Sequence, residues 1–131
     1  MIAVDTSVWI QVLNGEDTPK AELFERLLED GQPLALTEIV YTEILQGLRS
    51  DREEREVDGY LREFPVLELK GLDDFRLAAQ LYRAARRKGV TIRRTLDCLI
   101  AAPCVRAGVP VLHDDADFDR LASCSDLRIF K

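Results

Sequence analysis

Apolar positions along the chain alternate between two patterns. Short apolar runs at 2–4, 33–36, 66–69 and 110–112 read as strands, the first of them β-branched, with 127–130 as a candidate fifth. The segments between them repeat apolar residues at helical spacing. Ser7 is a candidate cap for a short helix through Leu13, with Asp5 as its rival. Thr18-Pro19 opens a helix carrying Leu23, Phe24, Leu27 and Leu28 that ends at Gly31. Thr37 caps a helix bearing Ile39, Val40, Ile44 and Leu45 that ends near Gly47. Ser50-Asp51-Arg52-Glu53 forms a capping box for a charged helix that runs to about Phe64, where Pro65 stops it. A long helix is predicted over 73–88 with Gly89 as its stop, and another, capped by Thr95, runs to Gly108. Pro103 lies inside that last helix and predicts a kink.

Strands separated by helices favour a parallel sheet flanked by helices on both faces, an α/β architecture with its sites at the carboxyl ends of the strands. The expected organisation is a single domain over 1–131 with four to five strands. Asp5 stands where the first strand runs out.

Several carboxylates interrupt apolar contexts. Glu43 lies mid-helix with Ile39, Val40 and Gly47 as its face neighbours. Asp97 lies in the first turn of TLDCLIAA. Asp114, Asp115, Asp117 and Asp119 follow the strand at 110–112. Each has an ordinary structural explanation: a helix cap, a residue favoured by the helix dipole, or a solvated turn. Their joint placement is what needs a reason, because a parallel sheet would gather Asp5, Glu43, Asp97 and Asp115 at one end. Like charges about 4 Å apart repel by about 1 kcal/mol even in water. A cluster of this kind calls for a cation, and a set of oxygen ligands suits Mg²⁺ or Mn²⁺.

Charge and composition sharpen this picture. The net charge is -6, yet residues 75–96 hold seven of the 18 basic groups and none of the 24 acidic ones. A polarised chain can offer a basic strip to one partner while remaining acidic elsewhere. Three cysteines at irregular spacing, Cys98, Cys104 and Cys124, read as reduced apolar residues. No apolar run is of membrane-spanning length, and no basic segment leads into a long apolar one, so no membrane association and a cytoplasmic location are expected. His113, the only histidine, is expected to be structural, and Trp9 to be core or dimer contact.

The blocks DTSVWI, TEIVYTEILQG, RTLDCLIAA and HDDADFD, in this order over essentially the full length, resemble the PIN-domain family, in particular the VapC-type toxins of toxin–antitoxin pairs. The resemblance implies a Rossmann-like fold and a Mg²⁺-dependent endoribonuclease, with Mn²⁺ as a substitute, in which a metal-activated water cuts RNA to leave 3′-hydroxyl and 5′-phosphate ends. By motif position it implies Asp5, Glu43, Asp97 and Asp115 as catalytic and metal-binding acids, with Asp117 in support. Thr6 and Ser7 match the hydroxyl positions after the first acid. Arg93 and Arg94, which precede the Asp97 helix, are expected RNA contacts, as is Arg87. Arg87 has a competing explanation as a cation complementing a helix C-terminus. The family further implies a VapB-type antitoxin, a homodimer whose surface could lie around 27–48, and a toxin–antitoxin hetero-oligomer. Alternative readings are a receiver-like Mg²⁺-binding signalling domain and a catalytically inactive PIN-like module that binds RNA or a partner.

Overall fold

The computed structural model describes residues 1–131. Its order is β1 (Ile2–Val4), α1 (Thr6–Leu13), α2 (Pro19–Glu29), β2 (Leu34–Ala35), α3 (Glu38–Gln46), α4 (Asp51–Leu61), α5 (Gly71–Arg87), α6 (Thr95–Ala107), β3 (Val111–Leu112) and α7 (Ala116–Ala122). The sheet is parallel with order β2-β1-β3, so the first strand is central and buried on both faces.

Three strands form rather than four or five. Residues 66 and 129 join the two edges only as isolated parallel bridges, to Leu36 and Val111. The cause is visible at the first edge. Leu36 donates to the Pro65 carbonyl and Leu67 donates back to Leu36. Beyond that point side chains take the backbone groups: Arg106 Nη2 donates to the Glu68 carbonyl at 2.8 Å, and Leu69 N–H donates to Glu38 Oε1 at 2.6 Å. A ladder cannot continue once its donors and acceptors are engaged elsewhere.

The helix boundaries also correct the sequence reading in places. Asp5, not Ser7, caps α1, accepting from Ser7 N–H. The long helix begins at Gly71 rather than 73; Gly71 turns the entering chain at φ 60, a region that suits glycine, and Asp74 takes the Lys70 N–H at the helix start. Thr95 is the first residue of α6 and not its cap; Arg94 holds the cap position without a side-chain bond, which moves Asp97 to the third position of the helix. As the sequence predicts, α6 runs through Pro103 to Ala107 and closes on Gly108 at φ 67.

The core lies on both sides of β1. Trp9 is fully buried and meets Phe24 and Phe64 edge-on, with ring centroids 5.0 and 4.9 Å away, so it is core and not an exposed contact. Of the apolar residues over 27–48, Leu27, Val40 and Ile44 are also core, while Leu28 is exposed. Asp74 at the start of α5, 1 % exposed, accepts from Arg106 Nε at 2.9 Å and from Lys70 N–H at 2.8 Å, which clamps α5 to α6. No helix is long and apolar enough to cross a membrane.

Candidate active site

The acids gather at the carboxyl end of the parallel sheet. Asp5 follows β1, and its N–H donates to the Leu112 carbonyl at the end of β3, so the turns after these two strands lie side by side. Ser7 joins them. Its hydroxyl donates to Asp5 Oδ2 at 2.6 Å and accepts from Asp114 N–H at 2.9 Å. Ser7 N–H donates to the same Asp5 oxygen at 3.0 Å. Asp5 Oδ1 is buried and has no partner. Burial pushes the Asp5 carboxyl above its ordinary range, the Ser7 bonds oppose this, and nearby Glu43 adds to the rise.

Glu43 projects from α3 toward α1. Thr6 Oγ1 donates to its Oε1 at 2.7 Å, and Arg94 Nη1 donates to its Oε2 at 2.9 Å. Arg94 Nη2 also reaches Asp97 Oδ1 at 2.7 Å, so one guanidinium bridges α3 and α6. Asp97 is fully buried and its Oδ2 has no partner. Burial raises the Asp97 carboxyl to about 6 despite Arg94, with Asp115 and Asp5 adding to the rise.

Asp115 caps α7. Its Oδ1 accepts from Asp117 N–H and from Arg93 Nη2, both at 3.0 Å. Asp117, fully buried, takes its bonds from cations: Arg120 Nη1 at 2.6 Å on Oδ1, and Arg93 Nε at 3.2 Å and N–H at 3.3 Å on Oδ2. Burial alone would raise its pKa; Arg120 and Arg93 more than offset this and hold the carboxyl below its ordinary range.

The structure thus places three hydrogen-bonded groups at the same end of the sheet, Asp5 with Ser7, Thr6 with Glu43, Arg94 and Asp97, and Arg93 with Asp115 and Asp117, and the acids of the three groups feel one another's charge. Two features differ from a bare acidic pocket. The guanidinium groups of Arg93 and Arg94 stand among the carboxylates, and no three acidic side chains share a common ligand position in this arrangement. Arg87 belongs to none of these groups; it is exposed on the last turn of α5 and forms no ion pair, the arrangement expected of a cation at a helix end. Sequence reasoning missed Arg120. The available signal was its i,i+3 spacing from Asp117 on one helix face.

The donor set fits a hard divalent cation. It consists of oxygens, with no thiolate or imidazole pointed at it, and two buried carboxylate oxygens, Asp5 Oδ1 and Asp97 Oδ2, have no hydrogen-bond donor. His113 stays outside: Nδ1 accepts from Asp115 N–H at 3.1 Å and Nε2 faces Asp119 Oδ1 at 3.2 Å, a structural role in the turn. Asp114 is held by Gln11 Nε2 at 2.7 Å. A cavity of about 320 Å³ lined by Leu36, Tyr41, Leu61, Phe64 and Val66, among others, contains none of these acids and has no evident part in the chemistry.

A strand-end acid, a helix-borne Glu and a capped acidic turn, converging beside a parallel β2-β1-β3 sheet, define a class, and the model of the PIN domain family matches residues 2–123. The chain belongs to the PIN-domain family, which sets aside the receiver-like reading. Among its relatives, Ribonuclease VapC11 of Mycobacterium tuberculosis is 39% identical over 129 residues, covering 98% of this chain and 96% of that protein. The fold is similar to that of VapBC2 from Rickettsia felis bound to a DNA fragment from its promoter, with TM-score 0.78, 16% identity and coverage of 99% of this chain and 98% of that one. It is also similar to DNA-bound VapBC from Salmonella typhimurium, with TM-score 0.75, 19% identity and the same coverage.

Proposed function

We propose that the chain is a divalent-metal-dependent endoribonuclease, the toxin of a VapBC-type toxin–antitoxin pair. The observation that carries the reading is the pair of buried carboxylate oxygens at this site that have no hydrogen-bond donor, Asp5 Oδ1 and Asp97 Oδ2. A native fold rarely leaves such atoms without a partner unless a ligand supplies one. The full-length similarity to a protein named a ribonuclease supports the reaction class.

Asp5 and Asp97 would hold the ion, Mg²⁺ or Mn²⁺, with Asp115 and Glu43 completing its surroundings. When bound, the ion supplies charge neutralisation at the phosphate and a water of lowered pKa. The chain's own residues supply position. Ser7 fixes Asp5 in one rotamer through two hydrogen bonds, which leaves Oδ1 pointed inward. Thr6 fixes Glu43 Oε1 in the same way. Arg94, with its side chain 48% exposed, reaches both the acids and solvent and can donate to a non-bridging phosphate oxygen. Arg93 stands beside Asp115 and can take the neighbouring stretch of backbone. In-line hydrolysis then leaves a 3′-hydroxyl and a 5′-phosphate.

In the same reading the chain forms a homodimer and assembles with a VapB-type antitoxin. The similar solved structures named as VapBC complexes support that partner. The test is cleavage of total RNA in Mg²⁺, stopped by EDTA and restored by Mn²⁺, and lost in Asp5→Asn and Asp97→Asn variants that stay folded. Full activity in both variants overturns the assignment.

A further inference from the structure

Beside the acids, on the outer side of Arg93, lies an open cleft of about 440 Å³ lined by Gly89, Val90, Thr91, Arg93 and Arg120. Its only charged lining residues are two arginines. Both are anchored to one fully buried carboxylate, Asp117, Arg93 through Nε at 3.2 Å and Arg120 through Nη1 at 2.6 Å. We propose that this cleft is a second phosphate subsite, which grips a backbone phosphodiester of the RNA strand next to the one being cut, with Asp117 as the positioning residue that aims both guanidinium groups.

Three observations carry the proposal. First, the anchoring is incomplete. Arg120 commits only Nη1, and Arg93 commits Nε and Nη2, so Nε and Nη2 of Arg120 and Nη1 of Arg93 have no protein acceptor. Guanidinium groups held on one edge and free on another suit a bidentate oxyanion. Second, Thr91, which also lines the cleft, offers a further donor, because its N–H has no backbone acceptor. Third, the cleft adjoins the acidic network through one residue: Arg93 Nη2 lies 3.0 Å from Asp115 Oδ1. A strand whose scissile phosphate sits at the acids would pass directly over Arg93. Arg86, Arg87 and Lys88, exposed just before Gly89, extend positive charge along the same approach.

Asp117 acquires a role distinct from the metal-binding one that the resemblance implies. Both of its oxygens are engaged by arginines, whereas Asp5 and Asp97 each keep one oxygen free.

The proposal rests on the nuclease reading, and one measurement separates the two. Binding of a labelled single-stranded RNA to the full chain, in an Asp97→Asn background that prevents cutting, is followed across a salt series. Arg120→Gln should weaken binding several-fold and reduce the slope of log K against log salt by about 0.7, one single-strand phosphate contact. Arg120→Lys should keep the slope, and Arg52→Gln, exposed on α4, should leave it unchanged. Thr91→Asp, which adds a negative charge to the cleft without touching Asp117, should reproduce the loss and serves where Arg120→Gln impairs folding. An unchanged slope in folded Arg120→Gln or Thr91→Asp overturns the subsite while leaving the nuclease reading intact. The same follows if these variants lose only the grip of an acidic protein partner. A parent chain that neither binds nor cuts RNA overturns both.

Discussion

Thr6 donates its hydroxyl proton to Glu43 at 2.7 Å, across 37 residues of sequence. The two side chains come from facing helices, and the bond fixes one carboxylate oxygen while Arg94 takes the other. Thr6→Val keeps the shape of the side chain and removes the donor. It should cost about 1–2 kcal/mol of stability, because Oε1 loses its partner in a confined site. RNA cleavage should fall by roughly tenfold or more through lost positioning, with KM for RNA little changed. Thr6→Ser should recover most of the activity. Steady-state kinetics on a defined RNA distinguishes these outcomes.

Asp97 makes stability depend on pH in an unusual direction. Its carboxyl is raised from 3.8 to about 6 in the fold. Between those values the native state binds more protons than the unfolded chain, so unfolding free energy falls as pH rises through this window. The stability that the protonated carboxyl contributes is present below the ordinary value and is lost as pH rises through about 6. Without divalent ions, urea unfolding should therefore show greater stability at pH 4.5 than at pH 7 from this group. Asp97→Asn should flatten that dependence and be more stable than the parent at pH 7. Added Mg²⁺ should stabilise the parent at pH 7 more than the variant.

Arg106 should matter for stability and not for chemistry. Its removal leaves Asp74, 1 % exposed, holding a charge with only the Lys70 N–H as donor. Arg106→Ala should cost roughly 3 kcal/mol. The activity per folded molecule should remain that of the parent, because the pair lies between α5 and α6 and outside the acidic network. Thermal unfolding together with cleavage assays at low temperature checks both parts.

The thiols should differ sharply in reactivity. Burial pushes Cys98 up to about 11 and Cys104 up to about 12, whereas Cys124 is half-buried. In the native state a thiol reagent at pH 7.5 should label one cysteine per chain rapidly, and all three after denaturation. Rapid native labelling of Cys98 or Cys104 would show that the core opens around α6.

The central strand and the positions of Asp5, Glu43 and Asp97 were legible because each of these charges interrupts an apolar context, where a buried charge is costly enough to be conspicuous, and Asp115 because it follows the end of a strand. What stayed hidden depended on side chains competing for backbone. The strand at 66–69 shrank to one bridge because Arg106 and Glu38 took its hydrogen bonds. Asp5 outcompeted Ser7 as cap because its oxygen reaches Ser7 N–H while the Ser7 hydroxyl turns to Asp5 and Asp114. The arginines carried the largest surprise. Spacing placed Arg93 and Arg94 near the acids, but it could not show that they bridge them, nor that Arg120 shares Asp117.

The Ser7 hydroxyl joins Asp5, near the start of the polypeptide, to Asp114, more than a hundred positions later, and β3 pairs directly with β1. A nascent chain on the ribosome therefore has no assembled site until β3 emerges and docks against β1. A chain interrupted before β3 would lack the Asp114 and Asp115 side of the site, so the acids come together only after that strand has docked.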